Sequence, residues 1–181
     1  MSAEFSRRSF LKYTALAAVA VAGSSLLTGC SETSPIKQAV GTTNTVLKVK
    51  TTLDKAVYDP QAKTLTFFVT VVNGRSNALQ ITQRNFSVTA PDGSYYAHKN
   101  SLIRVYNISE DPVLQVQKDV TQKYRIVASE FPGFADGAVR LTYHPDFQYD
   151  EYTANWLLEQ TEFTEGDPTA VAVYTMPGLE V

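Results

Sequence analysis

The sequence predicts an all-β protein folded as an antiparallel β-sandwich, and two observations carry that prediction. From Val46 onward the hydrophobic period is two rather than 3.6, and β-branched and aromatic residues fill the apolar positions. Turn signals recur between these runs at spacings of roughly 8–12 residues, which suits short strands folded back on one another.

Each element can be justified in turn. Residues 47–58 form a first apolar run, and residues 63–73 (KTLTFFVTVVN) form the clearest strand. Asp59-Pro60 precedes that strand and Asn73-Gly74 closes it, both turn signals. Leu65, Phe67, Val69 and Val71 share one face, expected to point inward. A short strand follows at 79–82. Residues 86–90 alternate, Pro91-Asp92-Gly93 turns the chain, and Tyr95-Tyr96 begins a return strand. Strands are further expected at 102–105, 122–129, 138–143 and 170–176. One core is sufficient for a body of this length.

The composition of the 181 residues excludes several functions. Net charge −2 and a pI near 5.7 speak against nucleic acid, which demands a basic face. A single cysteine excludes a disulfide framework, a cysteine zinc site and a thioredoxin-like pair. Two histidines leave little for a transition metal, and neither haem-attachment, iron–sulfur nor phosphate-loop motifs occur. No cofactor is expected.

The first 30 residues specify an address. Ser6-Arg7-Arg8-Ser9-Phe10-Leu11-Lys12 is followed by an apolar run over 13–27, and Leu27-Thr28-Gly29 precedes Cys30. The run is about 15 residues, short for a membrane span of roughly 20 and suited to a signal peptide. Arg7, Arg8, Phe10, Leu11 and Lys12 resemble the twin-arginine export signal. Leu27, Thr28, Gly29 and Cys30 resemble the bacterial lipobox. That resemblance implies cleavage before Cys30 and a diacylglyceryl group on its sulfur, whose two chains would hold the protein stably on the extracytoplasmic face of the cell membrane. Losing Arg7, Arg8, Lys12 and Glu4 with the leader leaves 13 basic and 17 acidic residues, net −4. Residues 1–29 are thus the signal peptide, 30–45 a lipidated cysteine with a polar tether spanning roughly 20 Å, and 46–181 the sandwich.

The sandwich itself resembles a known domain. Val69-Thr70-Val71-Val72-Asn73, Asn85-Phe86-Ser87-Val88, Asp92-Gly93-Ser94-Tyr95-Tyr96, Lys123-Tyr124-Arg125-Ile126-Val127 before Phe131-Pro132, and Val139-Arg140-Leu141-Thr142-Tyr143 are similar to the immunoglobulin-like domain of unknown function in surface lipoproteins of Gram-positive bacteria. The likeness covers roughly 46–145 and supplies no catalytic residue. Where such domains often place a glycine, this chain has Gln117-Lys118-Asp119.

An acidic and aromatic insertion near 144–165 interrupts the alternation. Asp146, Asp150 and Glu151, with His144, offer oxygen and nitrogen ligands for Ca²⁺, although the calcium-loop pattern is missing. Tyr149, Tyr152 and Trp156 form a candidate binding patch for a protein or glycan, since exposed aromatics supply rigid contact area. The plainest reading makes Trp156, Leu157 and Leu158 a plug at the sandwich edge. His98 and His144 have no adjacent nucleophile with an orienting acid, and no reaction class is supported. The expectation is therefore a non-catalytic, membrane-anchored binding module, with an accessory subunit of an exported enzyme or transporter complex as the alternative.

Overall fold

Leu65, Phe67, Val69 and Val71 do share a buried face, and the rest of the architecture is arranged around the strand that carries them. The computed structural model describes residues 39–135, 137–146, 152–166 and 179–180. The leader, Cys30, the tether as far as residue 38 and the strand expected at 170–176 lie outside them.

The strands are β1 (Thr43–Val46), β2 (Val49–Asp59), β3 (Thr64–Asn73), β4 (Leu79–Gln80), β5 (Phe86–Thr89), β6 (Tyr95–Ala97), β7 (Ile103–Asn107), β8 (Gln115–Val116), β9 (Thr121–Ala128), β10 (Val139–Tyr143), β11 (Ala154–Leu158), β12 (Thr164–Glu165) and β13 (Leu179–Glu180). The larger sheet runs β1-β2-β3-β9-β7-β13, the smaller β11-β10-β5-β6, and β4 pairs with β8. Pairing is antiparallel throughout the described strands except where β12 joins β2 in parallel, Thr164 opposite Val57. The apolar faces of both sheets meet in one core, where each fully buried aliphatic or aromatic side chain contributes roughly 1.5–3 kcal/mol.

β2 needs a bulge to keep that core face. Val49, Thr51 and Leu53 point inward, but so do Ala56 and the half-buried Tyr58, so the parity changes mid-strand, and Val57 is buried outside the core cluster. The register against β3 skips between Leu53 and Lys55, leaving Asp54 exposed, where it accepts the Thr70 hydroxyl at 2.6 Å.

Two sequence expectations are corrected here. The polar stretch to residue 45 is not all tether, because Thr43–Val46 pairs with β2 and buries Asn44 and Val46. Nor does alternation end at Tyr143: it resumes in β11, whose Ala154, Trp156 and Leu158 are buried. These two strands meet at the seam between the sheets, where Asn44 Nδ2 donates to the Asn155 carbonyl at 3.2 Å and Trp156 Nε1 to the Thr42 carbonyl at 3.3 Å.

Tyr58, Phe131, Phe134, Phe163 and Phe67 form a chain of edge-to-face rings with centroids 4.9–5.8 Å apart. Elsewhere, turns are fixed by side-chain amides. Asn73 Nδ2 donates to the carbonyls of Asn77 and Val116, at 2.9 and 2.8 Å. Asp119 adopts a left-handed backbone (φ 63°), which lets Gln117-Lys118-Asp119 turn without a glycine.

Candidate functional site

A cleft of ≈ 420 Å³ opens at one end of the smaller sheet, where β5 begins, β6 ends and β10 has just ended. Its floor follows from strand alternation. Phe86 and Val88 belong to the core, so Ser87 faces the other way; Tyr96 is inward, so Tyr95 and Ala97 face out. Ser87 and Ala97 are directly opposed across β5 and β6. Both line the cleft and are only 5% and 8% exposed, although neither belongs to the core cluster. Their cover comes from the cleft's walls, and their small size leaves the space between those walls open.

Each wall is a single 3-10 turn stabilised by an asparagine. In the Gln83–Asn85 turn, Asn85 Oδ1 accepts the Thr82 N–H at 2.8 Å, and Thr82 Oγ1 accepts the Arg84 N–H at 3.3 Å. Asn85 Nδ2 also donates to the His144 carbonyl at 2.7 Å, while the His144 N–H donates to the Asn85 carbonyl at 2.7 Å. The buried Asn85 therefore fixes Arg84 and the backbone of His144 together. In the His98–Asn100 turn, Asn100 Oδ1 accepts from the N–H groups of Ala97 and Leu102, at 3.1 and 3.3 Å, and Nδ2 donates to the Tyr95 carbonyl. A 3.3 Å contact between His98 Nδ1 and Gln83 Oε1 links one wall to the other.

The resulting surface is cationic. Arg84 and Lys99 are exposed, make no ion pair among the described residues, and flank a lining in which no described residue is acidic. His98 and His144 add two imidazoles, each able to donate an N–H even when neutral. At the floor, Ser87 brings a hydroxyl with no hydrogen bond among the described residues. Tyr95, 53% exposed, stands at the rim. In a chain of net charge −2, this concentration of positive charge is local rather than general.

The residues singled out from sequence are distributed differently. Arg7, Arg8, Phe10, Leu11, Lys12, Leu27, Thr28, Gly29 and Cys30 lie outside the described residues, as do Tyr149, Asp150 and Glu151. Tyr152 is half-buried against the core. Trp156 is not part of an exposed patch: it is fully buried, because its position in β11 turns the indole inward. Among the described residues no group of three His, Cys, Asp or Glu side chains converges as a metal site. His98 and His144, 46 residues apart in sequence, are brought to one cleft; the contributions of Arg84, Ser87 and Lys99 had no motif to announce them.

No family model matches the chain, and no curated protein matches it. Among solved structures the chain is similar to the yjhA protein from Bacillus subtilis, with a TM-score of 0.46 and 9% identity over 67% of this chain and 99% of that one.

Proposed function

We propose that this chain is an exported lipoprotein, held through lipid on Cys30 at the extracytoplasmic face of the cell membrane, and that its sandwich is a non-catalytic binding module of the immunoglobulin-like kind. The address rests on Arg7-Arg8 and on Leu27-Thr28-Gly29-Cys30. The binding role rests on one observation: a cleft with a small-residue floor, two braced walls and positive charge that has no ion pair among the described residues, which is the form of a preformed ligand site. Two measurements test the reading. Metabolic labelling with palmitate should mark the wild-type protein and not Cys30→Ala. A photo-crosslinking residue placed at Tyr95 should yield an adduct in native membranes, whereas one at Lys123, on the larger sheet, should not. An unlabelled wild type defeats the anchor; absence of an adduct from Tyr95 defeats the binding role.

A further inference from the structure

We infer that the cleft takes a phosphate ester, its phosphate seated over Ser87 between Arg84 and Lys99 and its organic part lying against Tyr95. This deepens the binding reading and rests on it for the location of the site.

Three features select the chemistry. The first is charge: Arg84 and Lys99 supply two permanent cations from two different turns, and no described lining residue is acidic. An anion entering the cleft meets two cations and, among the described lining residues, no carboxylate.

The second is the direction of the donors. Arg84 and Lys99 belong to the two turns, Ser87 to the strand at the floor, and His98 and His144 also line the cleft. A carboxylate presents its acceptor sites on two oxygens in one plane, whereas a phosphate spreads its oxygens tetrahedrally. Donors drawn from a strand and from two separate turns suit the separated oxygens of a tetrahedral oxyanion. Ser87 is 5% exposed, makes no side-chain hydrogen bond among the described residues, and lines the cleft, so its hydroxyl is available as a donor.

The third is Tyr95. A half-exposed ring at the rim of a charged cleft gives an apolar surface for whatever carries the phosphate. The cleft volume, ≈ 420 Å³, is within the range for small-molecule sites and larger than a bare phosphate requires. The same ester could be presented by a soluble molecule or by a lipid headgroup, and the test separates these sources.

The experiment is a calorimetric titration of the full chain, purified in detergent, with phenyl phosphate and inorganic phosphate, and a co-sedimentation with phosphatidylglycerol vesicles. Salt is kept at about 0.15 M, where interactions beyond about 8 Å are screened and non-specific attraction is weak. Phenyl phosphate should bind more tightly than inorganic phosphate, and Tyr95→Ala should remove that advantage. Arg84→Gln should weaken binding by roughly tenfold or more, because a charge-assisted hydrogen bond is lost; being exposed, this residue can be changed without disturbing the core. Ser87→Ala should reduce affinity several-fold with the melting temperature maintained. Binding of the soluble ester or of the vesicles, abolished or weakened by Arg84→Gln, supports the inference and identifies the source. Absence of binding by both probes, or binding indifferent to Arg84→Gln and Ser87→Ala, overturns it. Should a crosslinked adduct form at Tyr95 while neither phosphate probe binds, the ligand class is wrong and the binding module stands.

Discussion

Trp156 illustrates how neighbours mislead at the scale of one residue. Surrounded in sequence by acids and tyrosines, it resembles a contact residue, yet its indole is enclosed and its N–H is satisfied by the Thr42 carbonyl. Trp156→Ala should therefore destabilise the protein by about 3–5 kcal/mol, the usual cost of emptying a large aromatic site, read as a reduced urea midpoint. The core residues of β3 were legible because strict alternation leaves only one way to bury them. Gly74 was legible as a turn residue, but the reason it must be glycine was not. A Cβ there would collide with the Lys48 carbonyl oxygen, the acceptor of the Gly74 N–H. Gly74→Ala should cost roughly 1–3 kcal/mol, as overpacking does, and should be visible in the same denaturation curve.

Among the elements, β2 to β7, β9 and β10 were recognisable from alternation between turn signals, while β8 and β12, two residues each, depend on partners that sequence does not reveal. β11 escaped notice because the insertion before it broke the rhythm, and β1 because threonine and asparagine looked like linker. The cleft was half legible. Both histidines attracted attention, but their convergence is a product of the β5–β10 and β5–β6 pairings. The braces behind the walls make a prediction of their own. Asn85→Ala strands the Thr82 N–H and the His144 carbonyl without their partner, so it should cost about 1–3 kcal/mol. It should also weaken any cleft ligand, because Arg84 and His144 lose their common support. Calorimetric titration of this variant at a temperature where it is fully folded separates the two effects.

For the whole molecule, buried phenols set an upper limit on the pH range of stability. Burial raises Tyr143 and Tyr124 far above the ordinary phenol value and raises Tyr96 as well, the last helped by the charges of Asp92 and Glu130. Folded pKa values above unfolded ones mean that the folded state holds its protons longer. The stabilisation is complete below the unfolded value of about 10 and declines as pH rises beyond it. Unfolding should consequently set in on the alkaline side of pH 10, followed by circular dichroism. Tyr143→Phe should move that transition upward. At neutral pH the same substitution should be neutral or mildly stabilising, since the Tyr143 hydroxyl is buried without a partner among the described residues.

The seam between β1 and β11 governs when folding can finish. Its two hydrogen bonds join residues 111 and 114 positions apart. Closing such a span costs roughly 2 kcal/mol more chain entropy than closing a ten-residue hairpin. Strand β1 leaves the ribosome early and must wait for β11. Nascent chains arrested before residue 154 should stay sensitive to protease, and resistance should arise abruptly once residue 158 has cleared the exit tunnel. Translation order thus makes maturation of this domain a late, single event.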